Sequence, residues 1–226
     1  MIFDTKVKET YKAAIQEALE VVLERGNAGH QETARCIRDS NVRINFVPLD
    51  DIKCSGVTGL NSMIGTNRRV QSETIDFMDA LGEVHITFAD WTFDVAGQRG
   101  CQGTLVHEGL HACDFARIIS SFSKAEEDPL EVYDLSLYEL EHRAAVASAE
   151  YLVRIGKEDY IDDGLKLNLV SIGADNKPFV DMQGIKTRMQ NGYGLNENEH
   201  GIMISRMLGI RPRGAFSWSR FLGFSV

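Results

Sequence analysis

From about residue 4 to residue 25, apolar side chains recur three and four apart, at Val7, Tyr11, Ala14, Ile15, Ala18 and Val22. That is the spacing of one face of an α-helix, and Gly26 closes the run. A second helix is expected over about residues 31–38. The period then changes. "NVRINFVPL" sets Val42, Ile44 and Phe46 against Arg43 and Asn45, the alternation of a half-buried strand, stopped by Pro48. Residues 54–67 are rich in Gly, Ser, Thr and Asn, which predicts a loop or weak hairpin. "GEVHITFAD" alternates again, with Val84, Ile86 and Phe88 on one face and His85 and Thr87 on the other.

Two long helical stretches follow. "GCQGTLVHEGLHACDFARIIS" enters through Gly100 and Gly103, and "DPLEVYDLSLYELEHRAAVASAEYLVRIG" is opened by Asp128 with Pro129 at its first position. Beyond Gly156 the pattern breaks into short pieces. In "LNENEHGIMISRML", Asn196 and Glu199 predict a capping box before a short helix. "NGYGLNENEH" reads as a surface loop, with a loop over a cleft as the alternative. No internal repeat or Pro- or Ser-rich linker divides the chain. One domain over 1–226 is expected, with a helical N-terminal layer (1–40), a core (42–156) and a C-terminal subdomain (157–226).

Composition narrows the class. With 226 residues, 43% hydrophobic and 25% charged, the chain can bury a core without disulfides and is neither fibrous nor disordered. A net charge of −9 argues against a nucleic-acid partner, which needs clustered Lys and Arg. The two basic clusters, "NRR" at 67–69 and "RPRGAFSWSR" at 211–220, read as solvated loop charge. The opening "MIFDTKVKETYKAAIQ" lacks the apolar stretch of a secretory signal, and no apolar run reaches the roughly 18 residues of a membrane span. A cytoplasmic protein is expected, with export by a signal-less route open. Cys36, Cys54, Cys101 and Cys113 show no CxxC spacing, so free buried thiols are expected. Nothing in the pattern fixes the oligomeric state.

The stretch that carries chemistry is "TLVHEGLHAC", residues 104–113. Residues four apart on a helix share a face, so His107 and His111 can both reach one Zn²⁺. Glu108 is turned about 100° from His107, beside such a metal. That is where a base acting on a zinc-activated water would sit. The flanks Thr104, Leu105, Val106, Gly109, Leu110, Ala112 and Cys113 are all uncharged, so nothing there opposes or competes for a cation. A random shuffle of this composition gives HExxH in roughly 1% of chains. Cys113, two residues past His111, points away from the imidazoles.

These residues resemble the active-site helix of the zincin metallopeptidases, over this helix and more loosely the strand before and the helix after. The resemblance implies an α+β, zincin-like fold, with a small mixed sheet packed on the active-site helix and helical N- and C-terminal parts. It implies His107 and His111 as zinc ligands and Glu108 as general base. A catalytic zinc takes a third protein ligand and leaves a position for water. The metzincin pattern fails, since Asp114 and Arg117 stand where it needs Gly and His. Asp114 is more natural as a hydrogen-bond acceptor for an imidazole. The gluzincin pattern, a Glu on the next helix followed three residues later by Ala, is met by Glu141 with Ala144, Glu139 being the alternative. Arg143, Tyr138, His200 and Tyr193 are the candidates for stabilising an oxyanion, and His142 is assigned no ligand role. The implied function is a zinc-dependent hydrolase of peptide or protein substrates, with strand 83–89 forming the cleft's edge and pairing with the substrate backbone. The alternatives are a non-catalytic zinc-binding or regulatory protein and a zinc amidase acting on a non-protein amide.

Overall fold

The alternating stretches and the helical ones assemble into a mixed α+β fold, 58% helical with a small mixed sheet. The computed structural model describes residues 1–127 and 129–214. The described chain runs β1 (Ile2–Phe3), α1 (Glu9–Arg25), α2 (Ala28–Asp39), β2 (Arg43–Val47), α3 (Leu49–Ile52), β3 (Gly56–Leu60), α4 (Met63–Ser72), α5 (Phe77–Leu81), β4 (Val84–Ala89), α6 (Trp91–Asp94), α7 (Gly97–Ser123), α8 (Leu137–Ile155), α9 (Glu158–Lys166), β5 (Val170–Ile172), β6 (Pro178–Val180), α10 (Met182–Tyr193) and α11 (Ile204–Met207). No described helix is long and apolar enough to cross a membrane.

Helix α1 buries Tyr11, Ile15, Ala18, Leu19 and Val22 and packs on α2 and α7. It starts at Glu9 rather than near Asp4 because the preceding residues form β1, with Ile2 N–H donating to the Val42 carbonyl at 2.8 Å and Asp4 N–H to that of Ile44 at 2.9 Å. Helix α2 gains a turn over its predicted length from a reciprocal cap. Asn27 Oδ1 accepts from His30 N–H at 2.9 Å, and His30 Nδ1 accepts from Asn27 N–H at 3.1 Å.

The main sheet has the order β1-β2-β4-β3. The first three strands are parallel and β3 runs antiparallel to β4. Ile44, Ile86 and Phe88 are fully buried, each stabilising the fold by roughly 1.5–3 kcal/mol relative to exposure. β4 therefore lies inside the sheet, and the expectation that it forms the cleft's edge is wrong. Its hydrogen-bonding edges are taken by β2 and β3.

The edge is β3, in the stretch expected to be a loop or weak hairpin. Val57 and Thr58 favour a strand, but the two glycines among these five residues weaken the signal. The strand pairs with β4 and lies close against α7: a Cβ on Gly56 would lie 2.7 Å from Thr104 Cγ2 and 2.9 Å from Glu108 Cγ. Only glycine lets the backbone lie this close to α7. The end of the same stretch belongs to α4, capped by Ser62, whose Oγ accepts from Gly65 N–H at 3.1 Å.

Helix α7 carries the histidines and touches the sheet, α1, α2 and α8. Helix α8 packs on it, and Ala144, Ala145 and Ala149 of α8 are all buried. Tyr151 on α8 and Tyr160 on α9 both donate to Gln102 Oε1 of α7, at 2.7 and 2.9 Å. Helix α8 begins at Leu137, not at the predicted Asp128, which lies outside the described residues. Its cap is Ser136: Ser136 Oγ accepts from Glu139 N–H at 3.3 Å, while Glu139 Oε2 accepts from Ser136 N–H at 2.8 Å. The predicted cap at Asn196 is a turn instead, with Asn196 Oδ1 accepting from Asn198 and Glu199 N–H, and α11 starts later, at Ile204. Residues 215–220 of the second basic cluster lie outside the described residues.

Replacing the cap serine, Ser136→Ala, is expected to destabilise the protein by about 1 kcal/mol in urea unfolding. A loss below about 0.3 kcal/mol would show that α8 does not depend on this cap.

Candidate metal centre

Six histidines are spread along the chain, and the fold brings two of them to one carboxylate. His107 and His111 project from one face of α7 with ring centroids 4.6 Å apart and planes at 83°. Across from them, on α8, Glu141 places Oε2 3.5 Å from His107 Nε2 and Oε1 3.4 Å from His111 Nε2. One donor atom from each residue lies within 4.8 Å of the others. A tetrahedral zinc with bonds of about 2.0–2.1 Å spaces its ligand atoms about 3.3–3.4 Å apart. The two contacts run to different oxygens of Glu141, and with one donor atom from each residue the two-imidazole, one-carboxylate set could hold a metal ion.

Of the two candidate glutamates, Glu141 is the one that meets the histidines. Glu139 is occupied in capping α8. The two-residue offset turns the two side chains about 200° apart on the helix. Ala144 and Ala145, three and four residues after Glu141 and so on its side of α8, are small and buried.

The charges around the site reinforce each other. Burial alone would raise the Glu141 carboxyl, but the hydrogen bonds and charges of His107 and His111 outweigh it and hold the group well below the usual carboxylate range. His111 is buried, which alone would lower it. Glu141, then Glu108 and Asp114, reverse that and hold the imidazole above its ordinary value.

Behind His111, Asp114 is fully buried. Its Oδ1 accepts from Arg117 at 3.0 Å and from the Tyr133 hydroxyl at 3.1 Å, with Arg143 Nη1 at 3.4 Å. Its Oδ2 and the His111 Nδ1 are both buried without a partner. They are a complementary acceptor and donor one turn apart. A histidine that binds a metal through Nε2 carries its proton on Nδ1, and a carboxylate commonly receives it. The expected hydrogen bond from an imidazole to Asp114 is not formed in this structure, where Asp114 accepts from Arg117 and Tyr133 instead.

Glu108 is 6% exposed and is met by β3, where Thr58 Oγ1 donates to its Oε2 at 2.8 Å. Among the four oxyanion candidates, only Tyr193 reaches the ligands, its hydroxyl donating to Glu141 Oε2 at 2.9 Å. It stands on the last turn of α10, and Gly194 ends that helix. Tyr138 is buried between His142 and His200, with ring centroids 5.4 and 5.1 Å away. His200 bonds Ser136 and the Glu197 carbonyl, and Arg143 is committed to Asp114 and Tyr133. Cys113 is buried and directed at Cys36 rather than the imidazoles. Cys36 and Cys101 are also buried free thiols, whereas Cys54 is exposed, contrary to expectation.

Thr58 is the partner that sequence reasoning missed. Its signal was only a polar residue in a Gly-rich stretch, and its proximity to Glu108 comes from tertiary packing. Compared with protein families, curated proteins and solved structures, the chain matches no family model, no curated protein and no solved structure.

Two measurements follow from this geometry. Asp114→Asn is expected to weaken zinc binding about 10- to 100-fold in competition with a chromophoric chelator, and unchanged affinity would remove Asp114 from the site. The second concerns pH. Because the folded pKa of His111 is raised, its contribution to the stability of the metal-free protein is full below the unfolded value and is lost as pH rises through the folded one. Zinc must displace that proton, so affinity should climb over the same range and level off above it. A flat affinity between about pH 6 and pH 9 would contradict this.

Proposed function

We propose that this chain is a zinc-dependent hydrolase that cleaves peptide bonds, with a zincin-like fold and Glu108 as its general base. The observation that carries the reading is Glu141 spanning His107 and His111 at 3.5 and 3.4 Å, with Glu108 beside them. His107, His111 and Glu141 would hold the metal. A bound zinc supplies Lewis acidity, lowering the pKa of a coordinated water to about 7.

The chain's own residues do the rest. Glu108 Oε2 is taken by the Thr58 hydroxyl, which leaves Oε1 to receive the proton of the attacking water and return it to the leaving nitrogen. Tyr193 is the hydroxyl nearest the ligand set and would donate to the carbonyl oxygen as negative charge gathers there. Substrate pairing moves from β4 to β3. This strand ends the sheet and lies along α7 at Thr104 and Glu108. An extended peptide laid on its outer edge by β-addition would run along the strand that contacts Glu108.

The test is zinc stoichiometry by native mass spectrometry together with cleavage of casein and a peptide library. Glu108→Gln is expected to keep one zinc and lose about 10²- to 10⁴-fold of activity, while His107→Ala loses both. Full activity in Glu108→Gln would refute the assignment. One zinc on a wild-type protein that cleaves no peptide or other amide would favour a zinc-binding protein without turnover.

A further inference from the structure

A general base has to be held as well as present. Glu108 follows a ligand in sequence, and on a helix its side chain leaves the ligand face at about 100°. Nothing on α7 then directs its carboxylate. Among the described residues, the one side chain that hydrogen-bonds it is Thr58, on a different element and fifty positions away in sequence.

The contact is built from both ends. Gly56 and Thr58 are two apart on β3 and so face the same side of the sheet, toward α7. At Gly56 the backbone passes so close that a Cβ would stand 2.9 Å from Glu108 Cγ, which fixes the stem of the glutamate. At Thr58 the hydroxyl stands 2.8 Å from Glu108 Oε2 and 3.0 Å from the Glu108 carbonyl. One hydroxyl proton serves one acceptor at a time, and the charged carboxylate at the shorter distance is the stronger. The antiparallel register that pairs Thr58 with Ile86 places this hydroxyl, and Ile86 is fully buried.

We infer that Thr58 is a positioning residue: its hydrogen bond to Glu108 Oε2 sets where the base stands, so that the edge strand and the base move together. The inference rests on the hydrolase reading and adds to it a coupling. A peptide pairing with the free edge of β3 would steady the same strand that holds Glu108, and productive binding would thereby tighten the base against the water.

The experiment compares Thr58→Val, which keeps the shape and removes the hydroxyl, with Thr58→Ser, which keeps the hydroxyl. Both are zinc-loaded full chains assayed on the quenched-fluorescent library peptide that the wild type cleaves best. Thr58→Val should bind one zinc with unchanged KM and lose about 10- to 100-fold in kcat. Thr58→Ser should stay within about threefold of wild type. Wild-type kcat in Thr58→Val, or an equal loss in Thr58→Ser, overturns the inference. A second readout is independent of turnover: the shifts in urea midpoint for Thr58→Val, Glu108→Ala and the double variant. Non-additive shifts support the contact, and additive shifts overturn it. If the wild type holds zinc and hydrolyses nothing, the hydrolase reading fails, and this cycle still decides whether Thr58 holds Glu108.

Discussion

A carboxylate with little access to water, set against two imidazoles, is the constraint around which the rest of this molecule is arranged. Glu141 sits on α8 and the histidines on α7, so the helices must pack closely and in one register for the three donors to meet. Small buried alanines follow Glu141 on its side of α8, and the Tyr151 and Tyr160 hydroxyls on Gln102 tie α8 and α9 to α7. A buried acid without a counter-charge is costly. Here the cost is offset by His111, which is held in its protonated form to higher pH by the same carboxylate. In the metal-free protein the group is therefore balanced by a proton, and the same three residues could hold a metal ion.

Much of this was legible in the sequence because it rests on local periodicity. His107 and His111 share a face by the i, i+4 rule, and that rule needs no tertiary information. The central strand at 84–89 announced itself by alternation. Glu141 was preferable to Glu139 only through the spacing to Ala144, and the physical reason becomes visible once Ser136 is seen to claim Glu139 as a cap. Proline and aspartate suggested an earlier start for α8, but local capping chemistry at Ser136 and Glu139 outweighed them.

What could not be read was long-range. β3 carries strand-favouring Val57 and Thr58 between two glycines that weaken the signal, and its closeness to α7 depends on Gly56, where any side chain would block the approach. Without β3, the strand at 84–89 looks like an edge, and Thr58 looks like loop polarity. Both misreadings have one origin: sheet order is decided by which backbone can reach which neighbour, and alternation within a single strand is silent on it. The position of Tyr193 over Glu141, from the end of α10, is of the same kind.

The central claim is that His107, His111 and Glu141 together hold one zinc and leave it a position for water. Zinc-edge X-ray absorption on the zinc-loaded full chain tests this most directly. Two imidazole nitrogens and a carboxylate oxygen at about 2.0–2.2 Å, with one further light atom, is the predicted shell. Sulfur ligation at about 2.3 Å, or a shell with a single imidazole, would contradict it.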